Sequence, residues 1–318
     1  MLNKTVSLVL GSGGARGISH IGVIEVLEKE GYKIKSIAGS SIGALVGGIY
    51  AAGKIDVFKE WILALEKMDI IRLLDFSFSL RGLFRGDKLI ETLSDLIGNI
   101  NIEDLPIDYT AVATDINSQR EVWFDEGPLF DAIRASIAIP SVFTPVEIFG
   151  RQLMDGGILN PIPIAPTLTD MTDLTIAVNL SANIPVDIPV DSVNERELPL
   201  GTIARPKPSV ESNMDMFTEY RDKILGYIEN LYRRTDDRTL EKKEEPETDN
   251  YFDLMGKTID TMQNTLAKIK LATYTPDIIV EIPREACSFY EFHRAKEMID
   301  IGIRQTEVAL KRHRESLR

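Results

Sequence analysis

Two serines stand side by side in "IAGSSIGALVGG", residues 37–48, where a short apolar run gives way to a helix-like one. A serine that attacks an acyl carbon needs its hydroxyl held clear of the scaffold. A sharp strand-to-helix turn achieves this when the residues two before and two after are small. Counted from Ser41 those residues are Gly39 and Gly43; counted from Ser40 they are Ala38 and Ile42, and the isoleucine would crowd the turn. Ser41 is therefore the candidate nucleophile, with the following small-residue helix aiming its N-terminal dipole at charge developing there. A tight glycine turn with a capping serine is the plainer reading of the same pentapeptide.

A second glycine cluster, "GSGGARG" over residues 11–17, ends the first apolar run. Its backbone can approach a ligand closely and its N–H groups suit an anion. Two anions compete: a cofactor pyrophosphate, or the oxyanion of an acyl-transfer intermediate. The dinucleotide fingerprint beginning at Gly11 would need glycine at 16, where Arg16 stands. It also expects an acidic residue where this chain has Ser40 and Ser41, and no Walker lysine-serine pair follows. The oxyanion reading is the stronger one.

Ser41 also needs a base, and the chain has only three histidines. His20 falls in the first helix pattern, His313 in the charged tail "KRHRESLR", and His293 in "FYEFHRAKEMI". Ser41, Asp155 and His293 follow the chain order of α/β-hydrolase triads. The alternative is Asp155 itself, in "LMDGGILNP", where two glycines would let a carboxylate enter a site unhindered. Its ordinary pKa of about 3.9 makes it a poor base, but a desolvated pocket would raise that value and permit direct transfer from the serine. On residues alone both routes stay open.

The elements that must position these groups alternate. Val6–Leu10 and Ser36–Ala38 read as buried strands. Each precedes a helix pattern, Ile18 to Leu27 closed by Gly31 and then Ile42–Ala52. Helices are expected over Phe58–Lys67 and Asp87–Ile97, with Asp87 as N-cap. Strands are expected over Tyr109–Ala113, Glu121–Phe124, Thr175–Leu180 and Asp277–Ile282, and "VEIFGRQLMDGG" reads as a hairpin turning at Gly150. The order implies an α/β fold with a mainly parallel sheet. Residues 183–210 are proline-dotted, an extended loop. Two helical patterns follow, one through Met214, Phe217, Ile224, Ile228 and Leu231. The other steps through Phe252, Met255, Ile259, Met262, Leu266 and Ile269. A helical hairpin packed on the body is the plain reading of 212–272; a lid, or an interface making a homo-oligomer, is the sharper one.

The 318 residues carry a formal charge of −13, which argues against nucleic acid and against a broad electrostatic hold on anionic lipid. Cys287 is the single cysteine, excluding an intrachain disulfide framework and fitting a reducing compartment. The N-terminal apolar run is too short for a signal sequence, and Ile37–Gly53 falls short of a span of ~20 residues. A cytoplasmic chain, at most peripheral to a membrane's inner face, is expected.

Taken in order, "GSGGARG", "GSSIG" and "DGG", together with "RASIAIPSVFTPV" at 134–146, resemble the patatin-like phospholipase family, bacterial members in particular. The resemblance covers 5–182 as a catalytic core. It leaves 183–272 as an insertion and takes 273–318 as the closing strand and helices of the same domain. It implies a three-layer α/β/α fold and a lipid acyl hydrolase with a Ser-Asp dyad, using no cofactor and no metal. Ser41 would be nucleophile and Asp155 base. Gly13, Gly14 and Ala15 would line the oxyanion hole, supported by Arg16, with Gly11, Gly17, Gly39, Gly43, Gly156 and Gly157 shaping the motifs. The substrate would be a lipid or other acyl ester, met at a membrane surface. A non-catalytic lipid- or partner-binding protein keeping the same fold is the competing class.

Overall fold

The first strand, β1 (Thr5–Leu10), lies at the middle of an eight-stranded sheet. The computed structural model describes residues 4–66, 69, 86–140, 142–186 and 251–318. The 214–231 pattern and most of the proline-dotted stretch lie outside these residues. Everything below concerns the compact unit formed by Met1–Ile184 with Thr239–Arg318.

From β1 the chain passes through a 3-10 turn (Gly14–Ile18) and α1 (Ser19–Lys29) to β2 (Lys33–Ser40). It continues into α2 (Ile42–Ala51) and α3 (Ile55–Ala64). After α4 (Asp87–Ile97) come β3 (Asp108–Asp115), β4 (Arg120–Phe124) and α5 (Leu129–Ser136), then β5 (Val146–Ile148) and β6 (Arg151–Asp155). β7 (Leu174–Ala182), α6 (Tyr251–Thr273), β8 (Ile278–Pro283) and α7 (Ala295–Ser316) complete it.

Five strands run parallel in the order β3-β2-β1-β7-β8, and β4, β5 and β6 add antiparallel pairings on the β3 side. Strand alternation shows why helices cover both faces. Val9 and Ala177 point into a buried cluster with Ile162, Ile164 and Ala267 of α6. Leu10 and Ile37 point the other way, against Gly47 of α2. A parallel sheet apolar on both faces requires such a double cover, giving three layers.

Several elements differ from the sequence reading, β2 for one running from Lys33 to Ser40 rather than from Ser36 to Ala38. Gly86, with φ of 73°, takes the N-cap position of α4, so Asp87 is the first helical residue, its carboxylate facing Arg134. α3 begins at Ile55 and stops at Ala64, where Leu65 turns extended. α6 is present, but rotated relative to its apolar stripe. Gly256, Gln263 and Ala267 are buried, while Met262 and Ile269 remain 53% and 56% exposed. Among the described residues no helix is long and apolar enough to cross a membrane.

Candidate active site

β3 is the ruler on which the site is assembled. β4 pairs with Ala111–Asp115 along one edge. The opposite edge is shared end to end: β2 pairs as far as Ser40 opposite Val112, and β6 takes over with Asp155 opposite Ala113. Consecutive rungs of one strand thus bring together residues 114 apart in the chain. Ser41 Oγ donates a 2.5 Å hydrogen bond to Asp155 Oδ2, and both residues are only 2% exposed.

Ser41 is held in an unusual backbone state, φ 56° and ψ −124°, as N-cap of α2. A non-glycine residue there costs about 1–3 kcal/mol, and persists because its surroundings enforce it. Two contacts show how. A Cβ at Gly43 would meet Leu10 O at 2.1 Å, so only glycine lets α2 start this close to β1. The Ser41 N–H, turned away from any helical partner, donates to Ser136 Oγ at 2.9 Å.

Asp155 is fixed at every polar atom. Its N–H donates to Ala138 O at 2.9 Å and its carbonyl accepts from Thr114 Oγ1 at 3.0 Å. Oδ1 accepts from Gly157 N–H at 2.7 Å, capping the turn that follows. A Cβ at Gly156 would lie 2.0 Å from Val112 O, so this turn too depends on a bare backbone. Burial pushes the Asp155 carboxyl up to about 7, against the opposing pull of the hydrogen bonds from Ser41 and Gly157. A carboxylate so placed can accept a proton near neutral pH.

The loop at residues 11–17 lies beside this pair: Gly14, Ile18 and Ser41 line one cavity. The amides of this loop are not equivalent. Gly11 N–H donates to Val178 O, Ser12 N–H to Pro161 O, and Ala15 N–H to Phe289 O at 2.9 Å. Ala15 is therefore corrected as an expected oxyanion donor, because its amide hydrogen is already committed to a carbonyl. Gly13 and Gly14 are the loop residues whose amides have no partner among the described residues. Arg16 has its side chain beneath the loop, donating from Nε to Gly13 O at 3.2 Å.

None of the three imidazoles bonds to Ser41 or Asp155. His20 is fully buried and donates from Nε2 to Gly11 O at 2.9 Å. Burial lowers its pKa to about 4, offset in part by that bond, so it stays neutral and structural. His293 is exposed on a short 3-10 turn (Phe292–Arg294), and His313 lies near the end of α7.

One positioning residue was not foreseen. Ser136 is fully buried at the end of α5; its Oγ accepts from Ser41 N–H and donates to Val112 O at 2.6 Å. Two residues on, Ala138 holds Asp155. The stretch 136–138 therefore ties down both halves of the pair. The segment's small residues were visible in the sequence; nothing in them said which hydroxyl would face Ser41.

The cavity at Ser41 holds about 100 Å³ and is walled almost wholly by apolar side chains, among them Ile18, Leu45, Phe58, Trp61 and Phe143. A larger and more polar cavity of about 750 Å³ lies against α6, bordered by Arg16, Asp260 and Arg284, but neither Ser41 nor Asp155 lines it. Chemistry, not volume, locates the site. Among the described residues no group of three His, Cys, Asp or Glu side chains is arranged to hold a metal ion.

Comparison with known proteins places the chain in a family. The family model described as patatin-like phospholipase matches residues 8–168. An uncharacterized NTE family protein of Mycobacterium tuberculosis is 40% identical over 340 residues, covering 93% of this chain and 89% of that protein. The neuropathy target esterase sws of Drosophila persimilis is 31% identical over 170 residues, 51% of this chain and 12% of its own length. Among solved structures, VipD from Legionella pneumophila superposes with a TM-score of 0.52 at 16% identity, covering 98% of this chain and 67% of that one, a likeness of fold. The chain belongs to the patatin-like phospholipase family.

Proposed function

We propose that this protein is a serine acyl hydrolase that cleaves fatty acyl esters of lipids or phospholipids through a Ser41-Asp155 dyad. The 2.5 Å bond from Ser41 Oγ to Asp155 Oδ2 in a buried site carries this reading. The apolar cavity opening at Ser41 supports it, since it would take a hydrocarbon chain and leave the ester carbonyl at the hydroxyl. The phospholipase description of the matching family and the esterase name of the Drosophila relative point to the same substrate class. The lipid would be met at a membrane surface.

Asp155 takes the Ser41 proton as Oγ attacks the ester carbonyl carbon. The resulting oxyanion is received by the amides of Gly13 and Gly14 and by the N-terminus of α2. Collapse expels the alcohol, which carries away the proton held by Asp155, and leaves Ser41 acylated. A water then gives its proton to Asp155 and attacks the acyl carbon. The second tetrahedral intermediate releases the fatty acid, and Ser41 recovers its proton. No imidazole is needed.

Turnover of a p-nitrophenyl acyl ester should vanish in both Ser41→Ala and Asp155→Ala, and a fluorophosphonate should label the native protein at Ser41. Activity surviving in either variant would refute the dyad. A folded native protein that takes no label would instead favour the non-catalytic, lipid-binding alternative.

A further inference from the structure

Arg16 is the largest fully buried side chain in the described structure, 1% exposed, and it is charged. A guanidinium in such a place needs every donor matched and its charge balanced. Nε donates to Gly13 O at 3.2 Å, one terminal nitrogen donates to Arg284 O at 2.9 Å, and the other to Asp260 Oδ1 at 2.5 Å. The two carbonyls supply geometry. Among these three partners, Asp260 alone supplies opposite charge.

Asp260 belongs to α6, outside residues 8–168. The face of α6 that turns to the body is not purely apolar but mixed, Ile259 of the stripe packing there beside polar residues. Asp260 meets Arg16, Gln263 packs against Gly157, Ala267 enters the core beside Val9, and Lys270 reaches Glu121 at 2.8 Å. That rotation makes sense if Asp260 and Gln263 have something to hold. What they hold are the two loops on either side of the Ser41-Asp155 pair.

A trans peptide presents its carbonyl and the next residue's N–H on opposite edges. By accepting from Arg16 Nε, Gly13 O fixes the 13–14 peptide and so points Gly14 N–H away from Arg16. This peptide lies between two glycines, the place in a chain where a peptide plane turns over most freely, and Gly14 already sits at φ 59°. Its direction is therefore set by what its carbonyl touches.

We propose that Asp260 is a positioning residue for the oxyanion loop: by pairing with Arg16 it holds the 13–14 peptide with Gly14 N–H turned toward Ser41. The catalytic half of this statement rests on the proposed dyad chemistry; the conformational half does not. Asp260 touches no substrate and acts only through Arg16. Its side chain is 31% exposed on the wall of the larger cavity, so it can be changed without opening the core.

The test compares Asp260→Ala, Asp260→Asn and Asp260→Glu with the native protein, all at a temperature where each is fully folded. The expected result for Asp260→Ala is a fall in kcat of about tenfold or more with KM within about twofold, since only the transition-state contact is loosened. Affinity for an aryl trifluoromethyl ketone, which becomes an oxyanion on Ser41, should fall by the same factor. Asp260→Glu should recover more of both than Asp260→Asn. Amide hydrogen exchange read on the peptide spanning 12–17 should be faster in Asp260→Ala, with peptides from β7 unchanged. Unchanged exchange in 12–17 overturns the proposal whether or not the protein is an esterase. So does a kcat equal to the native value in a native enzyme that is active. A native protein without Ser41-dependent turnover would sink the dyad alone, and the exchange result would still decide the clamp.

Discussion

Replacing Asp155 by asparagine separates the work of the carboxylate from its energetic cost. The neutral amide can keep the bond from Gly157 and, as a donor, the contact with Ser41, so the local structure should survive. What disappears is the ionisation. In the folded protein the carboxyl keeps its proton up to about 7, whereas the ordinary value is 3.8. Between those values the folded state binds more protons than the unfolded one. The stability this provides is complete below pH 3.8 and is lost progressively as the pH climbs to about 7, with no further loss beyond. At roughly 1.4 kcal/mol per pH unit the whole span is about 4 kcal/mol, of which roughly 2–3 kcal/mol falls between about pH 5 and about pH 8. Urea unfolding of both proteins at these two pH values measures it. Every other titrating group is common to the pair and cancels in the difference. Asp155→Asn should therefore gain roughly 2–3 kcal/mol on the native protein in passing from the lower pH to the higher, while remaining inactive. In the native enzyme, kcat/KM should rise with pH and level off above about 7. A stability gap that is the same at both pH values would refute the reasoning, because it would mean that Asp155 ionises in the fold as easily as outside it.

Three further outcomes follow from the same geometry. Ser136→Ala strands the Ser41 N–H and the Val112 carbonyl in the interior, so it should cost about 1–3 kcal/mol in denaturant unfolding. It should also lower kcat at temperatures where the variant is folded, and unaltered kcat would remove Ser136 from the positioning role. Ser41→Gly relieves the positive φ, and should raise unfolding stability by about 1 kcal/mol or more while abolishing turnover; a less stable variant would argue that the elbow is not strained. His293→Ala should leave most activity, read with the p-nitrophenyl ester, and its loss would restore the triad.

Much of the site was legible because glycine and serine spacing reports local backbone demands. Gly39 and Gly43 discriminated Ser41 from Ser40, and the structure gives Ser41 the positive φ that such a turn needs. The alternation of apolar runs with helix patterns pointed to a mainly parallel sheet, because strands buried on both faces leave unbroken apolar runs. What was not legible depends on partners distant in sequence. The stripe Met255, Ile259, Met262, Leu266 and Ile269 marks the most apolar face of α6. Burial instead follows Gly256, Gln263 and Ala267, with Asp260 turned to a charge 244 residues away. Hydrophobic periodicity cannot register a carboxylate that faces the body because an arginine awaits it. Ser136 was hidden for a like reason: a serine at a helix end is common, and its two partners lie on β3 and in the elbow. Asp87 failed as a cap because a glycine one place earlier could adopt the left-handed turn instead.

The end-to-end sharing of one edge of β3 makes the distance between the proposed nucleophile and base a matter of rung number rather than chain length. Residues 52–107 and 116–128 can lengthen, shorten or exchange segments without touching the reacting atoms, provided Val112 and Ala113 keep their partners and α2 and residues 136–138 stay in place. A slip of β6 by a single rung, about 3.3 Å, would carry the carboxylate out of reach and invert which face it points from. Substrate selectivity in this architecture is thus free to diversify through the helices and loops around the cavity, while the chemistry stays anchored to two adjacent residues that never react.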